Sequence, residues 1–369
     1  MTVALAGCGG SKPQPQPQAQ PHPQPQPKLL VGAVEDAAKS APDADAQMKL
    51  ARASGFRAVV LSAVWKPGSS PAADVPPLAR AVAAAVHEGV RPVLAVYQFS
   101  SATPDDPQSR AAFAAYAAGL AKRLPDVRDV IVGNEPNLNL FWQPQFDAAG
   151  ADVAAPAFEA LLAETYDALK AVDAKLDVIG AGLAPHGGDR PSSRPTHSPT
   201  KFIEDLGAAY RASGRTKPLM DALSIHVYGE SARVPPTLAH PHSTTIGIAD
   251  YPKLVATLGA AFAGTAQAGS SLPIVYGEYG VETAIPAAKS HLYTGHEPVP
   301  VVDEATQAKY YSEAIRMAER QENVRMLFLF HVSDESRLEG LQSGVRYADG
   351  SPKSSEPQVH AAIEAVPTR

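Results

Sequence analysis

The stretch Asp129-Val130-Ile131-Val132-Gly133-Asn134-Glu135-Pro136-Asn137 decides how the rest of the sequence is interpreted. An apolar run typical of a buried strand ends in an amide and a carboxylate, and a proline stops the strand from continuing. The stretch Pro273-Ile274-Val275-Tyr276-Gly277-Glu278-Tyr279-Gly280 repeats this arrangement far downstream. Each stretch therefore puts one glutamate, Glu135 or Glu278, where a buried strand gives way to a loop.

The composition is that of a globular chain with a large core. The sequence has 369 residues, is 45% hydrophobic and carries a formal net charge of -6 at pH 7. No basic stripe indicates a nucleic-acid partner, and no apolar run is long enough to cross a bilayer as a helix. Because Cys8 is the only cysteine, disulfide bonds within the chain are impossible.

Residues 1–8 form a segment of their own. Leu5-Ala6-Gly7-Cys8 resembles the lipobox of bacterial lipoproteins, in which the cysteine becomes the lipidated first residue after signal cleavage. Residues 1–6 lack the basic n-region and the long apolar h-region of a signal peptide. Residues 1–8 are therefore either the truncated end of a lipoprotein signal or an accidental match in which Cys8 is a free thiol.

Residues 9–28 are dominated by alternating proline and glutamine. Such a segment cannot bury apolar surface and is expected to form an extended polyproline II linker. It could instead be a ligand for a recognition domain, but it lacks the flanking basic residues expected of one. We expect a tether that holds the folded domain outside the cell or in the cell envelope, with a lipid anchor at Cys8 as the only membrane contact.

From residue 29 onward, short apolar runs alternate with amphipathic segments. The predicted strands are residues 29–34, 57–62, 91–97, 128–133, 177–182, 221–227, 273–277 and 325–330. The predicted helices are residues 45–54, 75–88, 108–124, 156–172, 201–213, 251–268, 304–322 and 356–365. Eight strand–helix units in roughly 340 residues predict one α/β domain over residues 29–369, a single (β/α)8 TIM barrel. A doubly wound open sheet is the alternative, although no Gly-x-Gly-x-x-Gly follows the first strand.

The predicted loops after strands four to seven are long, whereas the connections from helix to strand are short. Barrel enzymes build their sites at the carboxyl ends of the strands, where these long loops lie. Glu135 ends strand four and Glu278 ends strand seven, on opposing parts of the rim. We therefore expect the two carboxylates to point into a common space.

At this point the chain resembles clan A of the glycoside hydrolases, retaining (β/α)8 enzymes that include many cellulases, mannanases and β-galactosidases. The resemblance covers the chain from about residue 29 and is most specific at Asn134-Glu135-Pro136 and at Glu278; His226-Val227-Tyr228 also fits. It implies that Glu135 is the general acid/base and Glu278 the nucleophile of a double displacement. The implied reaction cleaves a glycosidic bond, expected to be β-linked, in an oligosaccharide or polysaccharide, without a cofactor or a metal.

The chemistry requires different surroundings for the two carboxyls. In a retaining enzyme they lie about 5 to 5.5 Å apart, and the charge of one opposes the ionisation of the other. We expect Tyr228 to donate a hydrogen bond to Glu278 and to hold it ionised. Asn134 is expected to bind the sugar 2-hydroxyl, or else to cap a loop. His226 either binds a hydroxyl near the cleaved bond or is a hydrogen-bonded histidine of the barrel mouth.

Further side chains on the predicted active face could bind the glycan. Trp65 and Trp142 are the only tryptophans, and an indole packs well on the apolar face of a sugar ring; core packing under a loop is the alternative for Trp142. The remaining candidates for hydroxyl binding, any of which could only organise the rim, are Glu35, Asp36, Gln98, Asn137 and His331.

The chain also departs from the clan. Many members carry an arginine near the end of strand two, where this chain has residues 62–66, and a tryptophan at the end of strand eight, where it has Phe330-His331. We therefore expect the subsite around the cleaved bond to be lined by different side chains from those of the clan. His240-Pro241-His242 has metal-ligand spacing but no acidic residue near it in sequence, so both histidines are expected to be exposed to solvent.

Two other functions are compatible with a barrel. One is a cell-surface carbohydrate-binding protein that has lost turnover, against which the retention of both glutamates argues. The other is a lyase or an esterase, and the absence of a Gly-x-Ser-x-Gly turn disfavours the esterase.

Overall fold

The computed structural model describes residues 1–2 and 28–367. Cys8 and almost the whole predicted linker lie outside the described residues, so the structure does not bear on the tether. Within the described part of the chain, no helix is long and apolar enough to cross a membrane.

Eight strands pair in chain order and close into a barrel. All pairs are parallel, and β1 closes the ring by pairing with both β2 and β8. The strands are β1 Leu30–Val34, β2 Ala58–Val64, β3 Arg91–Tyr97, β4 Asp129–Val132, β5 Asp177–Leu183, β6 Ala222–His226, β7 Ile274–Tyr279 and β8 Val324–Phe330. The predicted TIM barrel is confirmed.

The α-helices lie between and after the strands. They are α1 Ala37–Ser40, α2 Ala44–Ala53, α3 Pro71–His87, α4 Pro107–Arg123, α5 Ala154–Val172, α6 Pro199–Ser213, α7 Tyr251–Phe262, α8 Glu304–Arg320 and α9 Glu356–Glu364. Local sequence explains where several of them begin. Ser70, Asp106 and Ser198 each accept a hydrogen bond from the first turn of a helix that starts with proline, a residue that fits that position.

The core has two layers, separated by the barrel wall. Along β2, Ala58 and Val60 point into the barrel, whereas Val59 and Leu61 point towards the helices, as the two-residue period of a strand requires. Phe328 fills the interior beside Gly32, where an added Cβ atom would lie 2.7 Å from the phenyl ring. The barrel is therefore a packed scaffold that carries its site on the rim.

Most differences from the predicted elements lie at their ends. Helix α3 begins at Pro71 rather than at residue 75, because Ser70 caps it. Helix α7 ends at Phe262 rather than at residue 268. Strand β7 continues through Glu278 to Tyr279, so this glutamate lies within the strand and not after it. The short helix α1 was not predicted.

Candidate active site

Glu135 and Glu278 face a common space at the carboxyl ends of the strands. His226, the last residue of β6, lies between them: its Nδ1 atom is 2.9 Å from Glu135 Oε1 and 3.5 Å from Glu278 Oε2. The imidazole is almost fully buried. One ring nitrogen thus contacts both carboxylates, and the predicted convergence of the two glutamates is present in the structure.

An unusual backbone turn positions Glu135. Gly133 has φ 92° and Glu135 has φ 42°, and few residues with a side chain adopt the second value. The Glu135 amide donates to the Gly182 carbonyl at 2.8 Å, which holds the turn against β5. Such strained residues concentrate at functional sites because the surrounding structure must stabilise them.

Irregular strand pairing positions Glu278. The register between β6 and β7 shifts next to His226, so that His226 lies opposite Glu278. Bulges of this kind turn a side chain to a new direction. Two residues beyond His226, the Tyr228 hydroxyl donates to Glu278 Oε2 at 3.0 Å. The predicted contact between Tyr228 and Glu278 is therefore present.

The electrostatics of the cluster differ from the expectation in one respect. Burial raises the pKa of Glu278, and the charge of Glu135 raises it further. The His226 charge and the Tyr228 hydrogen bond oppose this rise but do not cancel it, so the pKa of Glu278 stays above its ordinary value. The Tyr228 hydrogen bond thus favours the ionised form of Glu278, as expected, but does not outweigh burial and the charge of Glu135.

The two carboxylates also raise the pKa values of His226 and Tyr228. Burial lowers the pKa of His226, but Glu278 and Glu135 outweigh burial and raise it overall. Burial and the charge of Glu278 raise the pKa of Tyr228 far above its usual range, so its hydroxyl remains a donor. Because a protonated imidazole compensates one carboxylate, the cluster holds two acids against one cation.

The part of the rim near β2 contains a lysine from α1. Lys39 of α1 lies 2.9 Å from an Asp36 carboxylate oxygen and donates to the Ser62 carbonyl at 2.7 Å. Asp36 also accepts a hydrogen bond from the Ser62 amide at 2.9 Å. Tyr97, at the end of β3, lies close enough for the charges of Asp36 and Glu278 to raise its pKa beyond the effect of burial. Lys39 and Tyr97 were not predicted as site residues.

The two tryptophans are core residues rather than sugar platforms. Trp65 is 2% exposed and packs edge-on against Phe113, with ring centroids 5.6 Å apart. Trp142 is 0% exposed and packs edge-on against Phe158, also at 5.6 Å. Neither indole can contact a sugar in this conformation, so core packing, the alternative interpretation for Trp142, describes both.

Asn137 also has a structural position. Its amide nitrogen donates to the carbonyls of Ala184 and His197, and its amide oxygen accepts from the Ala184 amide at 2.9 Å. The side chain is fully buried. Because it ties the loops after β4 and β5 together, it has no surface left for a substrate.

The other predicted residues differ in their availability. Asn134 is half-buried, and its amide makes no hydrogen bond to another described residue, so it is free to bind a ligand. Glu35 accepts from the Ala37 amide at 3.0 Å and organises the rim. Gln98 is buried and donates to the Phe141 carbonyl at 3.1 Å. His331 contacts the Val34 carbonyl through Nδ1 at 2.8 Å, and its buried Nε2 atom has no hydrogen-bond partner within residues 28–367.

Two phenylalanines near the end of β3, rather than the two tryptophans, present an exposed aromatic face. Phe99 and Phe141 stack with ring centroids 5.4 Å apart, and the Tyr97 ring contacts both edge-on. Phe99 is 44% exposed, which is unusual for so large an apolar side chain. The position of Phe99, two residues after the end of β3, was a signal that could have identified it.

His240 is not a solvent-exposed histidine, contrary to the prediction. Its Nδ1 atom lies 2.7 Å from Asp250 Oδ2, and its Nε2 atom lies 3.2 Å from Glu230 Oε1. The acidic companions come from other parts of the loop and could not be found by proximity in sequence. His242 is exposed, as predicted. Among the described residues, no group of three histidine, cysteine or acidic side chains could hold a metal ion.

No protein-family model matches this chain, and no curated protein is similar to it in sequence. Among solved structures, the AHE enzyme from Alicyclobacillus herbarius is 14% identical with a TM-score of 0.61, over 94% of this chain and 99% of that one. A broad-specificity GH5-4 endoglucanase from Clostridium acetobutylicum is 14% identical with a TM-score of 0.57, over 91% and 97%. A β-glucuronidase from Bacteroides uniformis is 14% identical with a TM-score of 0.57, over 93% and 36%, so this chain spans about a third of its length. These likenesses establish a shared barrel fold.

Proposed function

We propose that this protein is a retaining glycoside hydrolase with Glu135 as the general acid/base and Glu278 as the nucleophile. One observation carries the proposal: the two carboxylates, from the ends of β4 and β7, both contact His226 Nδ1, at 2.9 and 3.5 Å. Retaining enzymes need two carboxyls about 5 to 5.5 Å apart, and groups that share a single nitrogen contact are compatible with that spacing.

The reaction proceeds in two displacements. Glu278 attacks the anomeric carbon while Glu135 donates its proton to the departing glycosidic oxygen, which leaves a glycosyl ester on Glu278. Esterification removes the negative charge of Glu278. Glu135, now a carboxylate, takes a proton from the water that attacks the ester, and the sugar is released with retained configuration.

The neighbouring side chains support these roles. Tyr228 donates to Glu278 at 3.0 Å and orients the attacking carboxylate. His226, held between both acids, compensates their charge before the substrate binds. Asn134 has an unoccupied amide for the sugar 2-hydroxyl, and the exposed face formed by Phe99 and Phe141 can pack on a sugar ring in the way predicted for the tryptophans.

The similar solved structures support the same reaction class. They include an endoglucanase and β-glucuronidases, which are glycosidases built on the same barrel. Since each is about 14% identical to this chain, the particular sugar and linkage are not carried over.

A panel of aryl β-glycosides and of plant and bacterial polysaccharides tests the proposal. We expect at least one glycan to be cleaved by the natural chain and not by Glu278→Ala. External azide should restore turnover of an activated aryl glycoside in this variant and give a glycosyl azide of inverted configuration. Binding of a glycan without release of product by the natural chain would favour the carbohydrate-binding protein instead. Unaltered activity in Glu278→Ala would end the assignment.

We also propose that Cys8 anchors the chain to a bacterial membrane, on the evidence of its lipobox-like sequence. The chain should be expressed in a bacterium behind a complete lipoprotein signal, and labelled with a fatty-acid analogue. Label is expected in the natural sequence and not in Cys8→Ser. Equal labelling of the two proteins would overturn the anchor.

A further inference from the structure

The surroundings of the proposed catalytic pair are acidic on the side of β6 and β7. Tyr228, which donates to Glu278, lines a cavity of about 200 Å³. Glu230 and Glu282 line the same cavity, and no lysine or arginine does. The Oε2 atom of Glu282 is buried without a hydrogen-bond partner among the described residues. Burial and the charge of Glu297 raise the pKa of this carboxyl to about 7, so its negative charge is fully present only above that pH.

The next part of the rim, near β8 and β1, is also acidic. His331, whose charge acts on Glu278, lines a cavity of about 430 Å³. No lysine or arginine lines this cavity, whereas five acidic side chains do: Glu35, Asp36, Asp334, Glu335 and Asp349.

The lysines just outside these cavities are already paired. Lys39 lies 2.9 Å from Asp36, Lys289 lies 3.0 Å from Asp349, and the buried Lys353 lies 2.8 Å from Asp334. Among the residues that the structure describes, the side chains of Glu35 and Glu335 accept hydrogen bonds from backbone N–H groups alone. In the described part of the chain, the acids on the walls thus outnumber the cations that compensate them.

A uronic acid would bring another carboxylate into these surroundings. Protein sites for carboxylates rely on arginine or lysine, and arginine can bind them with two parallel hydrogen bonds. Like charges placed together at a binding surface are strongly unfavourable and exclude the wrong partner. A neutral sugar hydroxyl can instead donate to an uncompensated carboxylate, and an ammonium group can pair with it.

We propose that the cleft accepts glycans whose sugars are neutral or carry an amine, and that it rejects uronic acids. This inference rests on the proposed hydrolase function and specifies its substrate class. The specificity of the β-glucuronidases that share the fold is therefore not expected here.

Matched substrates that differ only at C6 provide the test. β-1,4-Mannan oligosaccharides are compared with β-1,4-mannuronan oligosaccharides, and cello-oligosaccharides with their C6-oxidised forms. For whichever pair contains a cleaved glycan, we expect kcat/KM on the uronic acid to be lower by on the order of a hundredfold. The difference should shrink as NaCl is raised, because salt screens the repulsion.

Charge variants identify the cause of the discrimination. Glu282→Lys should shift the ratio of the two kcat/KM values towards the uronic acid by about tenfold. Glu335→Lys provides a second, exposed position on the other wall. Glu322→Lys changes the net charge equally, but Glu322 is exposed between α8 and β8, at the amino ends of the strands, so its ratio should stay unchanged.

The outcomes separate this inference from the function on which it rests. If no glycan in the panel is cleaved, the hydrolase function fails and the inference fails with it. If the neutral and C6-oxidised partners are cleaved with equal kcat/KM, the hydrolase stands and the rejection of uronic acids is overturned. The same conclusion follows if Glu282→Lys, Glu335→Lys and Glu322→Lys leave the ratio equally unchanged.

Discussion

Two charged clusters near the carboxyl ends of the strands, one fully buried and one partly buried, contrast with each other. In the first, Lys353 and Asp334 form an ion pair with both side chains 0% exposed. In the second, Glu135 and Glu278 share His226. The first cluster has one charge of each sign, whereas the second has two acids for a single cation.

The Lys353 cluster satisfies its polar atoms. The ammonium group donates to Asp334 at 2.8 Å, to Thr283 at 2.7 Å and to the Gln342 carbonyl at 3.0 Å. The other oxygen of Asp334 accepts from the Tyr293 hydroxyl at 2.8 Å. A buried ion pair saturated in this way holds loops in one arrangement and leaves no group for chemistry.

In the Glu135–Glu278 cluster, by comparison, the charges are not balanced. Burial and the charge of Glu135 raise the pKa of Glu278, and the charges of His226 and His331 together with the Tyr228 hydrogen bond oppose the rise without cancelling it. Proton transfer and nucleophilic attack require two carboxyls in unequal surroundings, and here Glu278 accepts from Tyr228 whereas Glu135 contacts His226 more closely. The comparison teaches that burial of charge alone does not identify an active site, and that the imbalance of charge does.

Removal of Glu135 should disable the Glu135–Glu278 cluster and cause the largest change among these predictions, a loss of activity. Glu135→Ala is expected to lower kcat/KM by about 10² to 10⁴-fold for glycosides with poor leaving groups. Dinitrophenyl glycosides need no proton on the departing oxygen, so the first displacement should be nearly unaffected. Steady-state and burst kinetics on leaving groups of graded acidity measure this. A uniform loss across leaving groups would contradict the role of Glu135 as acid.

Removal of Lys353 should break the structural cluster instead. Lys353→Met leaves Asp334 buried without its cation, which is expected to lower the free energy of unfolding by about 3 to 5 kcal/mol. Arg128→Met, which removes an exposed ion pair with Asp173, is the matched control and should cost about 0 to 1 kcal/mol. Denaturant titration provides the comparison. Equal losses in the two variants would show that burial of the pair is unimportant.

The hydrogen bond from Tyr228 distinguishes the two clusters further, because its loss should lower catalytic activity and leave the free energy of unfolding unchanged. Tyr228→Phe is expected to lower kcat by about a hundredfold. Since this bond lowers the pKa of Glu278, its removal should raise that pKa and move the acidic limb of the kcat/KM profile to higher pH. Tyr310→Phe, which removes an exposed bond to the Arg233 carbonyl, is the control. An unmoved acidic limb would rule out this role.

A third cluster, formed by Asp152 and Asp205, lies outside the proposed site. Its loss should cause the smallest effect, a change in how stability depends on pH. Asp152 lies just before the N-cap of α5, accepts from the Ala154 amide at 2.8 Å and lies near Asp205 of α6. Burial raises the pKa of Asp152 to about 6. The folded state thus holds the proton more tightly than the unfolded state, and the associated stability is lost as pH rises from about 4 to 6.

Asp152→Asn keeps an oxygen that can accept from the Ala154 amide and removes this titration. Its free energy of unfolding should therefore fall by about 2 kcal/mol less than that of the natural chain between pH 4 and pH 7. Denaturant titrations at several pH values measure the difference. Parallel pH profiles for the two proteins would contradict the raised pKa of Asp152.

The barrel and the glutamate pair could be predicted because both depend on periodic features. Eight apolar runs separated by amphipathic segments indicate parallel strands, and their carboxyl ends share one rim. Glu135 and Glu278 follow from that topology. Tyr228 follows too, because it lies two residues beyond the end of β6, which is adjacent to β7.

Which other side chains reach the site depends on loop conformation, and the sequence pattern does not determine that conformation. Trp142 and Phe141 are neighbours in one loop, and only the structure distinguishes the buried ring from the partly exposed one. The saturation of Asn137 depends on carbonyls about 50 residues away. Lys39 belongs to a four-residue helix too short to give a periodic signal.

The most direct test of the central claim is to trap the glycosyl ester on Glu278. A 2-deoxy-2-fluoro derivative of a cleaved glycoside, with a dinitrophenolate leaving group, slows release of the ester more than its formation. We predict a mass increase of one fluorosugar on the peptide that contains Glu278, and slow recovery of activity as water releases the label. A label on Glu135, or rapid turnover without any covalent adduct, would contradict the account.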